Sequence, residues 1–280
     1  MMTIRELKRE ITNSLTKAGV NSPAFDALCL IEKVFDVTRS QLIIIENQPA
    51  LHEKAEEVRA LAQKRINGTP LQYLLGQWEF YGYTFKVGEG VLIPRDDTEV
   101  VLSFALEFLK GKTQGKILDL CSGSGALAVA IQKETGLDVV AVEKSEKALS
   151  YLNENVKLNN ANVKVFQGDV FTCMDEFENN SFDLIISNPP YIKTDEIKTL
   201  QKEVQLEPKM ALDGGLDGYD FYNHIVNNWT CKLKNGGALA FELGEGQFDT
   251  VKQLMTNKNY KDIEYKLDFG NIKRAIKGIC

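Results

Sequence analysis

The chain has 280 residues, 44% hydrophobic and 26% charged, which suits one domain of ordinary size plus a smaller one. Its formal net charge of −6 argues against a protein whose affinity comes from phosphates, since that needs clustered Lys and Arg. No purely apolar run, Leu42-Ile43-Ile44-Ile45 among them, is long enough to span a bilayer, and the amino terminus is charged from Arg5 onward, unlike a signal peptide, so a cytoplasmic protein is expected.

The first quarter reads as successive helices, each with a start signal. Thr3 and Glu6 make a capping box ahead of Ile4, Leu7, Ile11 and Leu15, and Gly19 stands where that helix stops. Ser22-Pro23 opens a second helix, with proline at the first helical position where its missing N–H costs nothing. Thr38 with Gln41 opens a third. A fourth runs from His52 to Asn67, with Ala55, Val58, Leu61, Ala62 and Ile66 on one side and Gly68 and Pro70 closing it. A small helical bundle over residues 1–75 is expected.

From Trp78 to Ile93 the residues become β-branched and aromatic, broken by Gly82 and by Gly88-Glu89-Gly90, which reads as a hairpin linker within 76–95. After a helix from Thr98 to Leu109, short apolar runs alternate with helical stretches: Lys116 to Leu120, Val139 to Glu143, Val163 to Gln167, Phe182 to Ser187 and Ala238 to Glu242. Alternation of this kind implies a parallel sheet covered on both faces. The tail, Ile263 to Asp268 and Arg274 to Ile279, reads as an antiparallel pair at one edge.

The first strand of that sheet leads into Asp119-Leu120-Cys121-Ser122-Gly123-Ser124-Gly125 and then a helix. Glycines there permit a tight turn and let a ligand approach the backbone at a helix amino terminus. The fit to a dinucleotide fingerprint is weak by itself, and Asp119 would repel a pyrophosphate. S-adenosylmethionine instead brings an ammonium and a sulfonium that a carboxylate can pair with. Glu143, 24 residues after Asp119, ends the next strand where a ribose diol would lie, and Asp169 in Gly168-Asp169-Val170-Phe171 is placed to accept from an adenine amine. Each also has a plainer role: Asp119 as a helix cap, Glu143 as a solvated strand end, Asp169 as an Asx turn. Their coincidence at the carboxyl ends of successive parallel strands favours the adenosyl ligand.

The fourth strand ends in Asn188-Pro189-Pro190-Tyr191. Proline lacks an N–H and holds the preceding residue extended, so Asn188 and Pro189 present oxygens outward. The Asn188 side-chain oxygen and the Pro189 carbonyl are two acceptors for the two N–H groups of a planar NH₂, whose nitrogen then faces an electrophile. The tetrapeptide alone serves equally well as a loop that ends a buried strand. Tyr191 reads as a wall of the site or as core packing. The cysteines, at 29, 121, 173, 231 and 280, show no paired spacing and there are two histidines, so reduced thiols and no metal are expected.

Taken together, the chain resembles the release-factor glutamine methyltransferases, which N5-methylate the glutamine of the Gly-Gly-Gln loop in peptide chain release factors. The likeness rests on Leu92-Ile93-Pro94-Arg95 with Thr98-Glu99, on Asn188-Pro189-Pro190-Tyr191, on Glu207-Pro208 with Ala211-Leu212-Asp213-Gly214-Gly215 and Asp217-Gly218, and on Glu242-Leu243-Gly244. It implies an α/β class I methyltransferase domain over 96–280, Rossmann-like, with a mostly parallel seven-stranded sheet and an antiparallel edge hairpin, after the helical domain and the linker. By that resemblance Cys121, Ser122, Gly123, Ser124, Gly125, Glu143 and Val170 bind S-adenosylmethionine, together with Asp119, Asp169 and Asn188. Asn188, Pro189, Pro190 and Tyr191 hold the target glutamine, with Asn188, Pro189 and Tyr191 the catalytic set.

The chain departs from the family pattern in Cys121 where Gly is usual, Glu143 where Asp is common, and Asp96-Asp97 where Pro-Glu is common; no required group is lost, and activity is expected. A release factor is the expected partner, bound through the helical domain, with no membrane or nucleic acid and a monomer assumed. Arg95 and Glu99 are read either as closing the substrate cleft or as a structural ion pair. Alternatives are a glutamine of a ribosomal protein or a nucleic-acid amine as the methylated group, and an adenosyl-binding docking module without turnover.

Overall fold

A computed structural model describes residues 2–280, and the chain divides into two compact units. One comprises residues up to Gln77 together with Gln201–Leu206; the other comprises Trp78–Leu200 and Glu207–Cys280.

The first unit contains α1 (Ile4–Lys17), α2 (Pro23–Phe35), α3 (Arg39–Ile45), α4 (His52–Ile66), α5 (Leu71–Leu75) and, from later in the chain, α9 (Lys202–Gln205). The capping boxes at Thr3 and Thr38 both form: the N–H of Thr3 donates to Glu6 at 2.7 Å and that of Thr38 to Gln41 at 2.8 Å. Leu7, Ile11 and Leu15 of α1 recur at helical spacing and are buried against Leu30 and Ile31 of α2 and Val58 of α4. The inclusion of 201–206 departs from the sequence-based division and has a physical cause. Buried Arg65 donates to Asp26 at 2.6 Å and reaches Glu203 at 2.6 Å, because a guanidinium out of water requires carboxylates on its several N–H groups.

A two-stranded sheet follows, β1 (Gln77–Phe80), which lies in the second unit from Trp78 on, and β2 (Tyr83–Lys86), whose two-residue turn places Tyr81 and Gly82 at φ 51° and 77°. The main sheet is built from β3 (Lys116–Leu120), β4 (Asp138–Glu143), β5 (Val163–Gln167), β6 (Phe182–Ser187), β7 (Leu233–Glu242), β8 (Lys261–Leu267) and β9 (Lys273–Ile279) in the order β5-β4-β3-β6-β7-β9-β8. Pairing is parallel from β5 to β7, and β9 runs antiparallel to both of its neighbours. The last strand of the chain is thus inserted between β7 and β8. Strand β7 begins five residues earlier than its apolar run suggests.

Helices α6 (Thr98–Leu109), α7 (Ala126–Thr135), α8 (Glu146–Leu158), the short α10 (Lys209–Leu212), α11 (Asp220–Asn228) and α12 (Phe248–Asn257) complete the unit. Two hydrophobic clusters lie on the two faces of the sheet, one gathering Val101, Val129 and Leu184, the other Leu118, Ile185 and Trp229. Strand order reverses between β3 and β6, the position at which open α/β sheets form a ligand crevice beyond their carboxyl ends.

Candidate active site

The turn from β3 into α7 is tightly wound: Cys121, Gly123 and Gly125 all have left-handed backbones, at φ 61°, 55° and 83°. Such a conformation costs a residue with a Cβ roughly 1–2 kcal/mol, so Cys121 is accommodated at a cost that glycine would avoid. Asp119 is 1% exposed. Its Oδ2 accepts from the Ser122 hydroxyl at 2.8 Å, while its Oδ1 is buried without a hydrogen-bond partner among the described residues. Burial is the main reason its carboxyl titrates at about 7, and the negative charge of Glu143 adds to the effect. The Ala128 N–H, in the first turn of α7, pulls the other way and favours the charged carboxylate, so a helix-cap role for Asp119 stands.

Glu143 ends β4 and braces the turn. Its Oε2 accepts from the Gly123 N–H at 2.8 Å and its Oε1 from the Ser145 N–H at 2.7 Å. Burial raises its pKa despite these N–H donors, and each oxygen keeps a further lone pair. Asp169 forms the Asx turn, accepting from the Phe171 N–H at 3.0 Å, and it also pairs with Lys144 at 2.8 Å. Burial opposes its ionisation, but the Lys144 ammonium and the Phe171 N–H prevail and lower its pKa.

One open cavity is lined by Cys121, Gly123, Glu143, Asp169 and Val170 on the β3–β5 side and by Asn188 and Pro190 after β6. Leu92, Phe171, Met210 and Phe221 supply apolar walls, and the Phe171 and Phe221 rings meet edge to face with centroids 4.9 Å apart. Asp119, Ser122, Ser124, Gly125, Pro189 and Tyr191 do not line it. Asp119 and Ser124 are buried behind the turn, and Pro189 is buried beside Pro190.

Tyr191 points elsewhere than the cavity. Its hydroxyl donates to Glu242 Oε1 at 3.1 Å, and burial together with that carboxylate pushes the phenol pKa far up. Its carbonyl accepts from Gln247 Nε2 at 3.0 Å. The glycines of the following loop fit against its main chain: a Cβ at Gly214 would lie 2.7 Å from Tyr191 Cα, and one at Gly218 2.6 Å from Tyr191 O.

Asn188 donates from Nδ2 to the Thr98 hydroxyl at 3.1 Å, and that hydroxyl donates to Glu242 Oε2 at 2.6 Å. Glu242 is 1% exposed, and burial raises its carboxyl to about 7 against the pull of Thr98, Tyr191 and Arg274. Neither Thr98 nor Glu242 was identified by sequence as a site residue. Strand-end position marks Glu242, but only the β6–β7 register, Ser187 opposite Phe241, shows that it flanks Asn188. Arg95 forms an ion pair with buried Glu207, which also accepts from the Ile93 N–H at 3.0 Å. Glu99 accepts instead from the Tyr81 N–H at 3.0 Å.

Comparison with known proteins shows the family of the chain. The family model described as PrmC N-terminal domain matches residues 6–76, and that described as methyltransferase small domain matches residues 96–215. The chain is 40% identical over 278 residues to a release factor glutamine methyltransferase of Thermodesulfovibrio yellowstonii, covering 98% of this chain and 95% of that one. It is 37% identical over 278 residues to one of Geobacter sulfurreducens, covering 99% and 96%. A methyltransferase crystal structure from Pyrococcus furiosus shares the fold, with a TM-score of 0.52 at 19% identity over 80% of this chain and 97% of that one. The chain belongs to the release factor glutamine methyltransferase family.

Proposed function

We propose that this protein transfers a methyl group from S-adenosylmethionine to the side-chain amide N5 of the glutamine in the Gly-Gly-Gln motif of peptide chain release factors, in the cytoplasm. The observation that carries the reading is that Asn188 and the Gly123–Glu143 turn open onto one cavity.

The residues present fit the cofactor. Glu143 lines the cavity and has lone pairs left for a ribose diol, Phe171 and Phe221 offer an apolar slot beside Asp169 and Val170 for a purine, and the carboxyl of Asp119 lies buried behind the turn, where it favours a cation from a distance. When bound, S-adenosylmethionine supplies an electrophilic methyl on a sulfonium. Asn188, which lines the cavity, would accept one N–H of the substrate amide through Oδ1, and the Pro189 carbonyl, set back from the cavity wall, is assigned the other. A carboxamide nitrogen is a poor nucleophile because its lone pair is delocalised. Two acceptors on its hydrogens raise electron density there as positive charge develops. Asn188 and Pro189 would orient the amide nitrogen toward the methyl that the cofactor would supply, and the proton displaced from that nitrogen would leave to water.

Pro190 walls the cavity and Tyr191 fixes the loop from behind. Residues 1–75 are assigned to partner recognition, 76–95 to the linker and 96–280 to catalysis. Incubation with cofactor and a release factor is expected to add one methyl mass to the glutamine peptide. Asn188→Ala is expected to abolish that gain while cofactor affinity stays within about threefold, less than 1 kcal/mol. Equal loss of both would place Asn188 in the cofactor pocket instead.

A further inference from the structure

We propose that Thr98 and Glu242 are positioning residues that fix, through a one-way hydrogen-bond chain, which end of the Asn188 carboxamide faces the cavity. This rests on the glutamine-methylating reading above and adds to it what orients the substrate-holding group.

The two ends of a carboxamide have nearly the same shape and opposite chemistry, so geometry alone does not hold Asn188 in the productive sense. The surroundings do. Above about pH 7, where Glu242 is ionised, its carboxylate only accepts, so the single proton of the Thr98 hydroxyl is committed to Glu242 Oε2 at 2.6 Å. Thr98 Oγ1 then has only lone pairs to offer Asn188, and the NH₂ end occupies that side at 3.1 Å. Oδ1 is left for the cavity that Asn188 lines. Reversed, Asn188 would set its own N–H groups against the N–H groups of the substrate amide.

The chain is anchored at both ends. Thr98 is the first residue of α6 and is 4% exposed, while Glu242 closes β7 beside the end of β6. The second oxygen of Glu242 is occupied by the Tyr191 hydroxyl at 3.1 Å, so the carboxylate does not swing away from Thr98 without losing a bond. Neither Thr98 nor Glu242 lines the cavity, so their effect on the substrate amide passes through Asn188.

A chain with a direction can be inverted, which gives the test. Thr98→Val keeps the shape and removes the relay, whereas Thr98→Ser keeps the hydroxyl. Asn188→Asp sets an acceptor against the Thr98 oxygen. Glu242→Gln supplies an NH₂ that donates to that oxygen and turns the Thr98 proton toward residue 188. In the double variant Asn188→Asp/Glu242→Gln the two reversals match again, and one oxygen at residue 188 still faces the cavity.

Expected turnover on a release-factor glutamine peptide is a fall of at least about tenfold for Thr98→Val, Asn188→Asp and Glu242→Gln, the scale of one misdirected hydrogen bond. Cofactor affinity should stay nearly constant, Thr98→Ser should remain within about threefold, and the double variant should exceed Asn188→Asp alone by about tenfold or more. A double variant no better than the poorer single one, or Thr98→Val at the wild-type rate, overturns the assignment. The same cycle read in thermal unfolding of the free protein needs no substrate. Coupling there with no methylation by the wild type would refute the proposed function and leave the chain of hydrogen bonds standing, whereas additive unfolding losses would refute the chain itself.

Discussion

Glu143 and Gly123 are joined at 2.8 Å, carboxylate to backbone N–H, so the end of one strand holds the shape of the turn that follows its neighbour. The same carboxylate holds the Ser145 N–H at the start of α8. Glu143→Ala leaves two N–H groups without their partner, at about 1–3 kcal/mol for each that stays dry, and also removes the acceptor assigned to the ribose. The expected result is a lower melting temperature and a cofactor affinity down by about 100-fold or more in calorimetric titration. Glu143→Gln, which keeps one acceptor, should fall between Ala and wild type. Undiminished binding by the Ala variant would remove Glu143 from the cofactor site.

Asp119 predicts a pH dependence. Burial raises its carboxyl from the ordinary 3.8 to about 7, so the folded protein holds this proton more tightly than the unfolded chain does. Below about pH 4 both states are protonated and the group contributes no pH dependence. Between about pH 4 and 7 only the unfolded state ionises, so stability contributed by this group falls as pH rises, and above about 7 the full penalty applies. Asp119→Asn should therefore melt higher than wild type at pH 8, by about 2 °C or more, with the gap closing toward pH 4. A cationic ligand reverses the preference, so cofactor binding near pH 6.5 should release a proton. Titrations in buffers of different ionisation enthalpy would detect that release, and it should vanish in the Asn variant.

Where local rules decided the structure, the sequence was readable. The capping boxes at Thr3 and Thr38 declare their helices within four residues, and β3 to β6 are short, mostly apolar runs ending in Asp119-Leu120, Glu143, Gln167 and Ser187. The acidic strand ends were visible for the same reason. Strand β7 was read short because Lys234-Asn235-Gly236-Gly237 carries turn chemistry, yet it continues through an irregular register between Phe182 and Leu184 of β6. The Thr98–Glu242 bond spans 144 residues and follows from strand order, which no local pattern encodes. The placement of 201–206 with the helical unit depends likewise on one distant partner, Arg65.

Gly214 is needed for space rather than for backbone freedom. A Cβ there would lie 2.7 Å from Tyr191 Cα and 2.9 Å from Pro190 O, all backbone that is tied in place on its other side. Gly214→Ala is expected to shift the Pro190-Tyr191 main chain and reduce turnover by about 100-fold, the order that a displacement of roughly 1 Å costs an aligned reaction. Cofactor affinity should change little. Gly236→Ala is the contrasting case: its φ of 77° strains an alanine, but nothing lies within 4 Å, so only about 1 kcal/mol of stability should be lost and no activity. Equal turnover by the two variants would show that the glycine collar does not set the loop.

Cys121 lines the same cavity as Glu143 and Asn188, so its thiol reports on occupancy. Burial, with the negative charges of Glu143 and Asp119 beside it, raises its pKa well above the ordinary thiol value, which leaves little thiolate at neutral pH. Cys231 and Cys280 are exposed and should react first with a maleimide, with Cys121 slower by about tenfold or more. Saturating S-adenosylmethionine should slow Cys121 further and leave Cys231 unchanged, as followed by peptide mass mapping over time. Labelling of Cys121 at one rate with and without the cofactor would show that the thiol does not border the bound ligand, and the assignment of the β3–α7 turn would have to be withdrawn.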